Sequence, residues 1–218
     1  MKKIERILEK PMLTVKPVSK VLTSDKPNLI AICGNNHGAG KTTLANVFLS
    51  LLPYECVVMS FASPLKAMIS RLIEYTSTDK GITAVKDIQD KEAPLEAFSG
   101  HSLRYTMQSL GTGWGRALMG NDFWANILIK SFENMKCTQN TVLIIDDMRF
   151  MNEYNILKEK FRPLFVFIDN SQLPDPEPFN SEGEICLAFC DVVVQNTGDY
   201  ADLCNTARRI ISAYFGNE

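Results

Sequence analysis

The chain is expected to form an α/β fold with a five-stranded parallel sheet flanked by helices. Three observations carry that expectation. Five short runs rich in Val, Ile and Leu alternate with stretches of helical periodicity. These runs are almost continuously apolar, as strands covered on both faces are. The first run leads straight into GNNHGAGKTT, residues 34–43, a glycine-rich loop that opens a helix.

The first strand is NLIAICG, residues 28–34, bounded by Pro27 and Gly34. KTTLANVFLSLL continues after the loop with apolar residues at helical spacing. CVVMSF, residues 56–61, is the second strand. Pro64 then stands where a helix can start, and PLKAMISRLIEY keeps one apolar face. Residues 76–100 are polar, carry Gly81, Pro94 and Gly100, and read as an inserted loop or short helical excursion. Helical pattern resumes near Ser102 and ends in the glycine-rich LGTGWGR; another helix runs from Asp122 to about Met135. TVLIIDD, 141–147, is the third strand, followed by the helix FMNEYNILKEKF. PLFVFID, 163–169, is the fourth; residues 170–183 are Pro-rich and read as a loop. DVVVQN, 191–196, is the fifth, and YADLCNTARRIISAYF closes the chain as a helix. Right-handed crossovers then gather the functional residues at the carboxyl ends of the strands.

Residues 1–27 differ from the rest. They hold seven Lys/Arg, three acids and Pro11, Pro17 and Pro27, and are expected to be a flexible or surface-draped extension. Residues 28–218 are expected to form one domain, with 76–120 as its lid and acceptor region.

Composition excludes several classes. A net charge of −2 supplies no global basic field for nucleic acid. No run reaches transmembrane length, and the charged start MKKIERILEK lacks a signal-peptide core, so a cytoplasmic location is expected. Six cysteines without a CxxC pair, beside two histidines, give poor support for zinc and read as free thiols.

The loop carries the chemistry. A GxxxxGK[ST] pattern between strand and helix points backbone N–H groups at phosphates, and the helix N-terminus adds favourable partial charge. Gly38, Ala39 and Gly40 shape its second half, Lys41 supplies a charge for the β- and γ-phosphates, Thr42 a hydroxyl for Mg²⁺, and Thr43 a phosphate donor. Strict spacing puts Asn35 at the first glycine position; either it takes that role or the loop is one residue longer, from Gly34. His37 lies inside the loop, where it approaches a substrate or simply sits at the surface. Asp146 and Asp147 end the third strand, where one of them faces the loop to order Mg²⁺ or water and an acid also suits a helix cap. Arg104, Arg116 and Arg149 stand beside turns or strand ends, where cations offset the charge of a moving phosphoryl group.

Seven blocks together are more specific than the loop. They are the loop itself, FASPLK at 61–66, RYTMQSLGTGWGR at 104–116, DFWAN at 122–126, DMRFMNE at 147–153, SE at 181–182 and DVVVQNTGDYADL at 191–203. In this order the chain resembles the deoxynucleoside monophosphate kinases of tailed bacteriophages over about residues 29–205. The resemblance implies a P-loop kinase fold with a helical acceptor-binding insertion. It implies transfer of the γ-phosphoryl of ATP, with Mg²⁺, to a deoxynucleoside 5′-monophosphate. It assigns the family's acid to Asp147, and Lys41, Arg116 and Arg149 to the chemistry. It places Lys66, Arg104, Gln108, Arg116, Trp124, Arg149 and Glu153 with the acceptor, and Asn196, Thr197 and Gly198 with the ATP adenine or ribose. Thr42, Gly113 and Asn180 depart from the family's Asp, Glu and His. The partners this implies are small nucleotides, with no membrane and no nucleic acid; a homodimer is open to it. Two rival readings stand beside it: a kinase acting on a nucleotide within DNA, and a nucleotide-binding protein without turnover.

Overall fold

The computed structural model describes residues 25–34, 38–76, 84–135, 137–138, 140–170 and 187–216. The expectations placed on most of residues 1–27, on Asn35, His37 and Asn180, and on the 181–182 block lie outside the described residues. The described chain divides into two compact units, Phe61–Lys130 and the remainder on either side of it.

The flanking segments build the sheet. Its strands are β1 (Leu29–Cys33), β2 (Glu55–Met59), β3 (Thr141–Ile145), β4 (Pro163–Asp169) and β5 (Val192–Gln195). They pair parallel throughout in the order β2-β3-β1-β4-β5. β1 and β3 are buried at every residue, which explains why they read as unbroken apolar runs. Successive side chains go to opposite faces. Ile30, Ile32, Val142, Ile144, Leu164, Val166 and Ile168 meet α1 (Lys41–Leu51) and α6 (Tyr200–Phe215) in one core, with Leu44, Phe48, Leu203, Ala207 and Phe215. On the opposite face α5 (Met151–Lys160) lays Tyr154 on Phe165, ring centroids 4.2 Å apart. Each such side chain, fully buried, stabilises the fold by about 1.5–3 kcal/mol.

The unit Phe61–Lys130 is helical. It contains α2 (Ser63–Thr76), α3 (Leu103–Gln108) and most of α4 (Phe123–Asn134). Leu65, Ile69 and Ile73 recur one helical turn apart on α2 and join Leu103, Phe98 and Trp124 in a separate core. The helical unit therefore begins before and ends after the expected 76–120 insertion.

The glycine-rich stretch is not a loop. Ser109–Leu118 continues α3 as a ten-residue π-helix. Wide turns of this kind are rare and concentrate at functional sites. Gly115 makes this one possible: a Cβ there would lie 2.3 Å from the indole Nε1 of Trp124. That indole N–H donates to the Gly111 carbonyl at 2.8 Å.

Candidate active site

The strand order reverses at β1, with β3 and β2 on one side and β4 and β5 on the other. In open parallel sheets such a switch point leaves a crevice at the carboxyl ends of the strands. The glycine-rich loop leaves β1 at this place and enters α1 at Lys41.

Gly40 is the N-cap of α1, with φ +102°, a left-handed conformation that side chains rarely adopt. Ala39 is buried beneath it, while Thr42 and Thr43 are exposed at the helix start. The first N–H groups of a helix have no intrahelical acceptor, so α1 presents donors and a positive dipole end here. The Lys41 ammonium donates to the Gly34 carbonyl at 3.3 Å, which draws its side chain toward the end of β1. A cation, the first N–H groups of a helix and a hydroxyl are thus collected near one strand end.

The acids after β3 separate into two roles. The Thr42 hydroxyl donates to Asp146 Oδ2 at 2.7 Å. The Ser60 hydroxyl donates to Asp147 Oδ2 instead. Asp146, not Asp147, is therefore the carboxylate on the loop's threonine. The resemblance pointed to the second acid, and the strand itself left the pair open. Thr42 with Asp146 suits a hard cation already held by a nucleotide, since Mg²⁺ keeps several waters and takes one or two protein oxygens beside the phosphates. No cluster of three or more His, Cys, Asp or Glu is needed, and none occurs among the described residues.

Behind the acids, Glu153 is 5% exposed. Its carboxylate accepts the backbone N–H groups of Arg149 at 2.8 Å and Phe150 at 3.1 Å. It caps α5 and shapes the turn between β3 and α5 in which Arg149 stands. Expected beside an acceptor, Glu153 is buried in the turn and works through backbone groups.

Asn196 follows β5. Its side-chain amide donates to the Ala39 carbonyl at 2.8 Å, and its backbone N–H donates to the Asp169 carbonyl at 2.7 Å. The resemblance places it at the adenine or ribose; its amide holds the backbone of the glycine-rich loop. Thr197 and Gly198 are exposed at the start of α6. That helix is capped by Asp199, which accepts the Asp202 N–H at 2.9 Å.

The helical unit carries the remaining expected residues. Lys66 on the first turns of α2 and Gln108 at the end of α3 are exposed. Arg104 pairs with Glu92, both side chains being largely exposed, so the pair contributes little to stability. Arg116 lies half-buried in the π segment. Trp124 does not offer a face for stacking: it is 7% exposed, with Phe123 and Trp114 against it. Its bonded N–H and tight fit over Gly115 make it a core residue of this unit.

Just before the loop, Cys33 Sγ lies 3.4 Å from Cys190 Sγ. Hydrogen bonding to Cys190 and then burial push the Cys33 thiol well above its usual range. The same hydrogen bond lowers Cys190. Sequence pattern offered no signal for this pair, which is 157 residues apart in the chain.

No family model matches the sequence, and no curated protein matches it. Among solved structures it is similar to one described as the crystal structure of APE1195, at 13% identity and a TM-score of 0.37, over 88% of this chain and 99% of that one. A likeness at that level carries no argument about function. No helix among the described residues is long and apolar enough to cross a membrane.

Proposed function

We propose that this protein is a P-loop kinase that transfers the γ-phosphoryl group of ATP to a deoxynucleoside 5′-monophosphate. The observation that carries the reading is the Thr42–Asp146 hydrogen bond at the mouth of a glycine-capped helix that begins with Lys41. It joins a phosphate-holding loop to a strand-end carboxylate, the two halves of a Mg-triphosphate site.

The residues present fit ATP and Mg²⁺. Thr42 and Asp146 would hold the ion, which neutralises charge on the β- and γ-oxygens when bound. Lys41 would turn from the Gly34 carbonyl to the phosphates. The N–H groups of Gly40, Lys41, Thr42 and Thr43 would line the phosphate chain. Asp147 and Ser60, hydrogen-bonded to each other, are available to order water or the acceptor. By the resemblance, Lys66 and one or more of Arg104, Arg116 and Arg149 would hold the acceptor phosphate, Arg104 by exchanging Glu92 for it. Direct in-line transfer needs no covalent intermediate, so the chain's work is positioning and charge stabilisation.

The decisive test is incubation of purified protein with Mg-ATP and each deoxynucleoside and ribonucleoside monophosphate separately, reading diphosphate formation. Product with at least one deoxynucleotide is expected. No product with any acceptor would defeat the kinase reading, and retained ATP binding would then leave a nucleotide-binding protein without turnover. Lys41→Ala should lower turnover at least about a thousandfold, the scale of losing a principal charge-stabilising group, while leaving the thermal midpoint near wild type. Near-normal turnover in that variant would remove the loop from the chemistry.

A further inference from the structure

We propose that Asn196 is a positioning residue that sets the orientation of one phosphate-binding N–H in the loop, that of Gly40. The inference rests on the triphosphate reading above and assigns Asn196 a role other than contact with the nucleoside.

The geometry is compact. The Asn196 amide donates to the Ala39 carbonyl at 2.8 Å. Asn196 is itself pinned, because its backbone N–H donates to Asp169 at the end of β4, at 2.7 Å. A trans peptide is planar, with its C=O and N–H on opposite sides. Holding the Ala39 carbonyl toward Asn196 therefore turns the Gly40 N–H the other way, toward the cradle at the N-terminus of α1. The next residue allows this approach. A Cβ on Gly40 would lie 2.5 Å from Asn196 Nδ2, so the amide sits where any side chain would stand. The φ of +102° at Gly40 belongs to a conformation from which a glycine peptide can rotate readily. Among the described residues Asn196 is the donor that holds the Ala39 carbonyl, and its loss would free this peptide to flip. Asn196 thus couples the end of β5 to the phosphate loop.

Two near-isosteric variants test this. Asn196→Leu keeps the volume and removes the donor. Asn196→Asp places an acceptor against the Ala39 carbonyl and favours the flipped peptide, in which the Gly40 N–H faces the introduced carboxylate. Mg-ATP affinity is read by calorimetry, with the unliganded thermal midpoint and the KM for the acceptor nucleotide measured alongside. Both variants are expected to bind Mg-ATP about tenfold or more weakly, a loss equivalent to about 1.4 kcal/mol. The unliganded midpoint should move by less than about 5 °C, and the KM for the acceptor should stay within about twofold of wild type, since uniform binding of the other substrate is untouched. Either variant binding Mg-ATP as tightly as wild type would overturn the proposal. So would a loss of affinity accompanied by a fall of more than about 10 °C in the unliganded midpoint, which would assign the residue to the fold. A wild-type chain that binds no triphosphate would overturn this inference and the kinase reading together; normal wild-type turnover with unaffected variants would overturn this one alone.

Discussion

Asp146 and Asp147 are adjacent, similarly half-buried, and engaged by different hydroxyls, Thr42 for the first and Ser60 for the second. The difference makes a kinetic prediction. Asp146→Asn should lower turnover about a hundredfold, or about 2.7 kcal/mol in the barrier, and should raise the Mg²⁺ concentration needed for half-maximal rate. Asp147→Asn should leave that Mg²⁺ requirement within about twofold, because a metal-independent role changes rate without changing ion affinity. A magnesium titration of both variants checks this, and the reverse pattern would return the ion to Asp147. The thiols near the loop give a second prediction at the same scale. Only a thiolate alkylates readily. Cys190 is lowered by its hydrogen bond with Cys33, Cys33 is raised by that bond and by burial, and Cys137 is raised by burial. At neutral pH, iodoacetamide followed by peptide mass analysis should therefore mark Cys190 ahead of Cys33 and Cys137.

The π segment shows how an element depends on one contact. Three glycines in LGTGWGR read as a helix breaker, since isolated glycine disfavours helix by about 1 kcal/mol. Here the wide turn is kept because Trp124 packs into the space that a Cβ at Gly115 would occupy. Gly115→Ala should destabilise by about 1–3 kcal/mol through overpacking. Gly113, two residues away, has nothing within 4 Å of a built Cβ. Gly113→Ala should be neutral or stabilising by up to about 1 kcal/mol, since it reduces only the freedom of the unfolded chain. Urea midpoints of the two variants should thus move by different amounts, with a clear loss only for Gly115→Ala. The turn into α5 is a second case. Glu153→Ala removes the acceptor of two backbone N–H groups and should cost about 1–2 kcal/mol, whereas Glu153→Gln retains an acceptor oxygen and should cost less.

For the whole molecule, the loop is held by the sheet unit, and ligand binding should report on that unit's stability. A ligand that binds only the native chain stabilises it by about 2.7 kcal/mol at a hundred times its dissociation constant. Saturating Mg-ATP should therefore raise the thermal midpoint of wild type, and Lys41→Ala should show a much smaller rise at the same nucleotide concentration. Equal rises in both would separate the nucleotide site from this loop.

The sequence by itself determined what is local. A strand buried on both faces needs an unbroken apolar run, so LIAIC, TVLII and PLFVFID announced β1, β3 and β4 to within two residues of their ends. The glycine and the helical spacing that follows it likewise announced a turn at Gly40 and a helix from Lys41. Tertiary structure decided what depends on distant partners. It set the order β2-β3-β1-β4-β5, the π turn over Trp124, the acid that meets Thr42, and the grip of Asn196 on Ala39 across 157 residues of chain. The physical reason is the same in each case. Periodicity and residue type constrain a segment's own backbone, while the direction of a hydrogen bond is fixed by where the other half of the pair is carried.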